Sequence, residues 1–556
     1  MGSMFVSRSG TRGALSVPVR FDSSDYWYYN YFVSLEIGMP AQHVDVILKK
    51  SPYPIIPYTG STTCRSDPQS CSPGSLTRRA SSDSFVLIID DPTKSTSQTI
   101  VSSGDVRFLT TNWFNTSGAN QGDLFQDNVA IGGLKLVNHT FGVDMGGGLS
   151  TLGTGELWNQ PVQDLPPTLA RQMVDQGDIA SAAFSLALDR IATEATANGT
   201  LLFGAIDKKK YMGELIALDA SHFTTGTYGS KTYGIALTSL QISSSSGTDE
   251  LLTPGTPLFM SPGIGSLASM PEPIANKIYE EIGVTYDRKK RKATVPCERA
   301  AAKDAHFTFG FHGPKGPQIK VPLRDYFVPI RYAQGLARAG PDYDVSKHGD
   351  CEFKMTVKQG DILTLGKPLM RNAYTVYDQE NQVFGLAQAS YSTDEDIVPF
   401  AKRGDPIPSS VPGPVVRPSG PPYNSNQTDL LDFPVATLAT LTAAAGIQTP
   451  ISSQRESETA MRVGLGVGIP LGILVITLTG LVVWVLVLKR PLWLCGHAFG
   501  NDAPKEGTEL EAGEERSRSD HWGSPRRQEP VVIDGGELDS TEKRPVELEV
   551  AANDER

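Results

Sequence analysis

YFVSLEIGMPAQHVDVIL, residues 31–48, holds two short apolar runs on either side of a Gly-Met-Pro turn. Tyr31 to Ile37 and His43 to Leu48 alternate apolar with polar residues or carry β-branched ones, the pattern of strands with a buried face. Runs of this kind recur between residues 27 and 393, broken by Gly and Pro, while convincing helical stretches are few, chiefly Pro273 to Ile282. The fold class is mainly β.

The whole chain has 556 residues, too many for one small core, so two or more packed units with tails are expected. Its 39% hydrophobic residues, with 54 Gly and 39 Pro, describe a folded chain rich in turns. A formal net charge of -11 argues against a general nucleic-acid binder, which would need Lys and Arg to neutralise phosphates. From Lys489 onward there are 16 acidic and 10 basic residues, so the C-terminal end carries more than half of the imbalance.

Residues Val463 to Leu488 are 26 consecutive uncharged, mainly apolar residues, enough to cross a hydrocarbon layer of ~30 Å as a helix. Lys489 and Arg490 follow at once, which by the positive-inside rule places the C-terminus in the cytoplasm and residues 1–462 outside or in a lumen. The expected location is the plasma membrane or another secretory-pathway membrane. Four N-glycosylation sequons, at Asn115, Asn138, Asn198 and Asn426, all precede the span. Cys64, Cys71, Cys297 and Cys351 form an even set on that oxidising side. The fifth, Cys495, lies seven residues past the span, as an acylation site or as a plain free thiol. Residues 1–25 hold no apolar run of the ~7–15 residues that a signal peptide needs, so a start called too late is expected.

Seven prolines between Pro406 and Pro422, followed by a Ser/Thr/Ala-rich stretch without a sustained period, read as an extended stalk over residues 394–462. The tail, 489–556, is acidic and poor in aromatics from about Asn501, which predicts disorder. PVVIDGGELDS and RPVELEV within it form a degenerate short repeat that reads either as a docking motif for a cytoplasmic partner or as a solvating tail.

Residues 31–48 also resemble the opening of pepsin-like aspartic proteases, peptidase A1, where a strand, a Gly-x-Pro-x-Gln turn and a second strand deliver the first catalytic Asp. Five further segments are similar in the family's order. Asp91 to Ser97 is similar to the loop before the flap hairpin, and Asp123 to Gly133 with Phe141-Gly142 to the strand pair after it. GTLLFGAIDKKKYMGEL, 199–215, resembles the crossover between lobes, and Thr294-Val295-Pro296-Cys297 the lead-in to a second-lobe disulfide. LTLGKPLMRNAYTVYDQENQVFGLAQAS, 363–390, resembles the family's final strands almost residue for residue. The resemblance implies a bilobal double-β-barrel, with an N-lobe over 26–190 and a C-lobe over 191–393. It also implies the disulfides Cys64–Cys71 and Cys297–Cys351. Lobes, stalk, span and acidic tail together resemble membrane-anchored aspartic-protease-like proteins of filamentous fungi.

Aspartic proteases need two facing carboxylates that share a proton, one acting as base on a water while the other is acid. Counted forward from Ile37-Gly38-Met39-Pro40-Ala41-Gln42, the first catalytic loop falls on Lys49-Lys50-Ser51. Counted backward from Ser266-Leu267 and Pro271, the second falls on Pro262-Gly263-Ile264, and a shift of one brings Ser261 or Gly263 instead. Neither Lys49 nor Pro262 can serve as the acid or base. No Asp or Glu lies between Asp45 and Asp67, nor between Glu250 and Glu272. Asp45 stands four residues before Lys49, too far along a strand to replace it, and Asp90-Asp91 belongs to the loop before the flap. The flap tyrosine position falls on Phe114, beside the Asn115 sequon. Thr151-Leu152-Gly153 and Thr364-Leu365-Gly366 resemble the turns that support each catalytic loop, so scaffold is kept where the dyad is lost.

The expectation is a proteolytically inactive, cell-surface binding or sensor-like module whose interlobe cleft takes a peptide, protein or wall polymer. An active membrane-anchored endopeptidase and a structural glycoprotein are the alternatives. A Ser/Lys mechanism using Lys49 or Lys50 with Ser261 or Ser266 would need a lysine whose pKa burial has lowered. No metal or other cofactor is expected: the eight His do not fall at ligand spacing, and Gly146-Gly147-Gly148 precedes no Lys-Ser/Thr.

Overall fold

The computed structural model describes residues 13–22, 30–49, 54–57, 95–108, 120–144, 151–153, 167–189, 198–220, 223–225, 230–232, 234–253, 257–263, 268–330, 344–357, 363–416 and 442–448. All belong to one compact unit, residues 1–465. Among them no helix is long and apolar enough to cross a membrane, and the run 463–488 lies outside them.

In chain order the first strands are β1 (Leu15–Asp22), β2 (Asn30–Ile37), β3 (Gln42–Lys49), β4 (Ile55–Pro57), β5 (Thr99–Phe108), β6 (Asn120–Ile131), β7 (Leu134–Asp144) and β8 (Thr151–Gly153). Helix α1 (Leu169–Asp175) precedes β9 (Ala183–Leu188), β10 (Asn198–Phe203), β11 (Ala205–Asp207) and β12 (Tyr211–Asp219). A small hairpin, β13 (Phe223–Thr225) and β14 (Ser230–Thr232), leads to β15 (Ile235–Ser244), β16 (Gly247–Glu250), β17 (Leu258–Ser261) and β18 (Ala268–Met270). Helix α2 (Glu272–Ile282) is followed by β19 (Thr285–Asp287), β20 (Lys292–Pro296), β21 (His306–Phe311), β22 (Gln318–Pro322) and β23 (Phe327–Pro329). Then come β24 (Asp350–Phe353), β25 (Met355–Val357), β26 (Leu363–Thr364), helix α3 (Gly366–Asn372), β27 (Ala373–Asp378) and β28 (Val383–Ala389). The last elements are β29 (Ile397–Pro399), β30 (Ser410–Pro412) and helix α4 (Thr442–Gln448).

The alternation in residues 31–37 becomes the inward face of β2: Tyr31, Val33, Leu35 and Ile37 are buried while Ser34 and Glu36 are exposed. The expected helix forms over Glu272–Ile282, starting after Pro271 and stopping at Gly283, whose φ of 73° only a residue without a Cβ adopts readily. Fourteen strands form one sheet, in the order β30-β12-β28-β27-β9-β10-β1-β2-β3-β8-β4-β7-β6-β5. Strands β22-β21-β15-β17-β26, with β16 on β15, form a second, and β19-β20-β24-β23 a third. The mainly β class is therefore as expected, with few helices, consistent with a pepsin-like bilobal fold.

The stretch expected to be an extended stalk departs from that reading. β29 pairs with β11, and β30 runs parallel to β12 at the end of the large sheet. Phe400, Ile407, Ala443 and Ile447 are buried. Proline content argues against central strands but not against an edge strand, where a missing N–H costs no ladder bond, and β30 is such an edge.

Candidate functional site

Two parallel strand pairs carry the positions where the catalytic loops were sought. In the first, β3 lies against β8 with Ile47 opposite Thr151, Leu48 opposite Leu152 and Lys49 opposite Gly153. Ile47, Leu48 and Leu152 are buried, which anchors the end of the strand. The chain returns at β4, where Ile55 pairs with Gly142 and Thr151, and the Pro54 carbonyl accepts from the Gly142 amide at 2.9 Å. Lys50 and Ser51 lie outside the described residues.

In the second pair, β17 lies against β26 with Met260 opposite Leu363 and Ser261 opposite Thr364. The Leu365 amide donates to the Ser261 carbonyl at 3.1 Å, and the Gly263 amide donates to the same oxygen at 2.9 Å. Pro262 is thus the buried centre of a three-residue turn, with its own carbonyl accepting from the Tyr377 hydroxyl at 2.7 Å. Buried Ser269 holds the partner strand β26: its Oγ accepts from the Thr364 amide at 2.9 Å and lies 3.1 Å from Thr364 Oγ1. Ile264 and Ser266 lie outside the described residues.

The two Thr-Leu-Gly segments give an internal ruler. Thr151 faces Ile47 and Thr364 faces Ser261, so the residue equivalent to Lys49 in the second pair is Gly263, one beyond Pro262. Like Pro262, Gly263 has no side chain that titrates. Asp45, the nearest acid before Lys49, is held elsewhere: Oδ2 meets Arg20 at 2.5 Å and Oδ1 accepts from Ser34 Oγ, its cross-strand partner, at 2.6 Å. Among the described residues no three His, Cys, Asp or Glu side chains come together as a metal-binding set.

The hairpin expected over the site is present as β5 paired with β6, and its turn, with Phe114 and Asn115, lies outside the described residues. Its approach is fixed to the β2–β3 turn, because Ser95 Oγ accepts from the Met39 amide at 3.1 Å and the Thr96 amide donates to the Met39 carbonyl at 2.8 Å. Ser97 Oγ donates to the buried Asp127 carboxylate at 2.6 Å.

The Cys297–Cys351 disulfide is present, with Cα atoms 5.0 Å apart, between the end of β20 and its partner β24. Asn138 is exposed on β7, in a left-handed conformation with φ 53°, and Asn198 opens β10. Cys64, Cys71, Asp90, Asp91, Asn426 and Cys495 lie outside the described residues.

Sequence reasoning missed Arg371. Buried on α3, it donates from Nε to the Tyr31 hydroxyl at 2.6 Å, and its guanidinium sits 5.0 Å from the Phe21 ring centre. A cation inside the apolar run following Thr364-Leu365-Gly366 was the available signal, but its aromatic partners are more than three hundred residues away in sequence.

Residues 30–389 match a family model described as eukaryotic aspartyl protease. An Aspergillus fumigatus protein named "Probable aspartic-type endopeptidase opsB" is 28% identical over 397 residues, covering 68% of this chain and 73% of the relative. Its namesake in Aspergillus oryzae is 28% identical over 404 residues, with 69% and 72% covered. "Secreted aspartic protease 6" of Candida albicans is 28% identical over 287 residues, covering 50% of this chain and 60% of the relative.

Proposed function

The chain belongs to the eukaryotic aspartyl protease family, and on that premise we propose that it is a proteolytically inactive member that binds rather than cuts. The supporting observation is the pair of parallel strand ends that carry Lys49 and, in the second half, Pro262 or Gly263. Peptide hydrolysis by this fold needs one carboxylate to take a proton from water while the other donates one to the substrate. A lysine cation cannot accept that proton, and proline and glycine offer no proton chemistry. The strand pairs, their Thr-Leu-Gly segments and the β5–β6 hairpin remain, which supports the reading that the protein still takes a peptide, protein or cell-wall ligand.

In this reading residues 463–488 anchor the protein in a plasma or other secretory-pathway membrane. The packed unit lies outside or in the lumen, with glycans on Asn138 and the other sequons, and the acidic tail meets a cytoplasmic partner. The test is incubation of the folded protein with a diverse peptide library from pH 2 to 7, with and without pepstatin, followed by capture of peptides that bind without being cut. Saturable binding without cleavage is expected. The names of the relatives favour a second reading, an active aspartic endopeptidase, and pepstatin-sensitive cleavage would establish that reading instead.

A further inference from the structure

Residues 442–448 follow the Pro-rich stretch and precede the apolar run 463–488, yet they form a helix seated on the β unit. Helix α4 packs against α2, β15 and β16. The Asp249 carboxylate receives both the Thr442 hydroxyl and the Ala443 amide, the latter at 2.6 Å. Ser244 Oγ donates to the Ala443 carbonyl at 2.8 Å. At the other end Gln448 Nε2 donates to the carbonyls of Glu280 and Glu281 at 2.7 and 2.8 Å, satisfying the last turn of α2. Ala443 and Ile447 are buried in the interface. Gly446 lets the helix approach closely, since a Cβ there would stand 2.5 Å from Ser244 Oγ.

We infer that α4 is a detachable strap, which ties the segment leading to residues 463–488 onto the α2–β16 corner in acid and lets it go as the medium becomes neutral. This inference does not depend on whether the protein cleaves peptides. Its basis is a carboxyl pair under the helix. Glu281 is fully buried, and burial followed by the charge of Asp249 pushes its carboxyl up to about 7. The Ala444 amide of the strap acts in the opposite, smaller sense, and Glu280 adds a weak push upward. Two cations lie on or beside α2 here: Lys277, one turn earlier on the helix, and Arg299, whose guanidinium is engaged with the Ile282 carbonyl.

A seated strap therefore favours the protonated form of Glu281, and lifting the strap uncovers the carboxyl and brings it down toward its ordinary range, although Asp249 stays beside it. The seat is tightest below the ordinary glutamate pKa, loosens as pH rises to about 7, and changes little beyond that. Between pH 5 and pH 8 the affinity should fall roughly tenfold to a hundredfold.

The experiment inserts a site-specific protease sequence into residues 425–435 of the full chain, so that after cutting the C-terminal piece carries the strap but no peptide bond to the N-terminal piece. The cut protein, in detergent and immobilised through its N-terminal piece, is washed at pH 5 and at pH 8, and the C-terminal piece is quantified. Retention at pH 5 with loss at pH 8 is expected, together with retention at both pH values for Glu281→Gln. Asp249→Asn, which keeps a capping oxygen but removes the charge, should narrow the difference. Loss of the unaltered piece at pH 5, or equal retention at both pH values, would overturn the inference.

Discussion

The Tyr377 hydroxyl donates to the carbonyl of Pro262 at 2.7 Å, tying the turn at the end of β17 to the strand that follows α3. Tyr377 also stacks on Phe184, so the ring is fixed before the hydroxyl makes its bond. Tyr377→Phe keeps the ring and orphans a buried carbonyl, which should cost about 1–2 kcal/mol. Urea unfolding of the two proteins at the same pH checks this through a lower midpoint with an unchanged slope.

Arg371 links α3 to β1 and β2 through the Tyr31 hydroxyl and the face of Phe21. Arg371→Ala should destabilise the unit by about 2–4 kcal/mol, from lost packing and the lost hydrogen bond to the Tyr31 hydroxyl. Arg371→Lys should recover only part of that, because an ammonium cannot lie flat over the rings as a guanidinium does. Denaturant midpoints for the two variants give the comparison, and equal midpoints would remove the stacking argument.

The Cys297–Cys351 bond closes a loop with a sequence separation of 54. Replacing both cysteines by alanine should cost about 2–5 kcal/mol, chiefly by freeing the unfolded chain. Calorimetry should show a melting temperature several degrees lower, while reductant lowers the melting temperature of the parent by more than that of the variant.

His139 is buried under α1 with Nδ1 against Gln172 Oε1, and burial lowers its pKa to about 4. A histidine with a depressed folded pKa leaves stability intact above its ordinary value of about 6.5 and removes it as pH falls towards 4. The loss at pH 4 should reach roughly 2–3 kcal/mol, and His139→Gln should flatten that part of the profile. Chemical denaturation from pH 4 to 7 measures it.

The local signals were legible where neighbours in sequence are also neighbours in space. The alternation of residues 31–48 gave β2 and β3, and the apolar spacing before Gly283 gave α2. The Cys297–Cys351 pairing came through family resemblance rather than periodicity. What stayed hidden depends on long-range partners. Composition made residues 394–462 look extended, because nothing local shows that Asp249, 193 residues earlier, would cap the helix at Thr442. Arg371 was silent for the same reason. At the candidate site, counting from flanking motifs chose Pro262, whereas the register of Ser261 on Thr364 advances the equivalence to Gly263. Only paired strands provide that ruler.

Loss of the carboxylate pair is the central claim, and the most direct measurement is peptide cleavage by the folded, unaltered protein between pH 2 and 7, with and without pepstatin. Mass spectrometry of the library should find every peptide intact at every pH, while the Cys297–Cys351 bond and a cooperative melt show that the protein is folded. Cleavage that pepstatin abolishes would contradict the account, because it would require two working carboxylates that neither Lys49 nor the Pro262–Gly263 turn supplies.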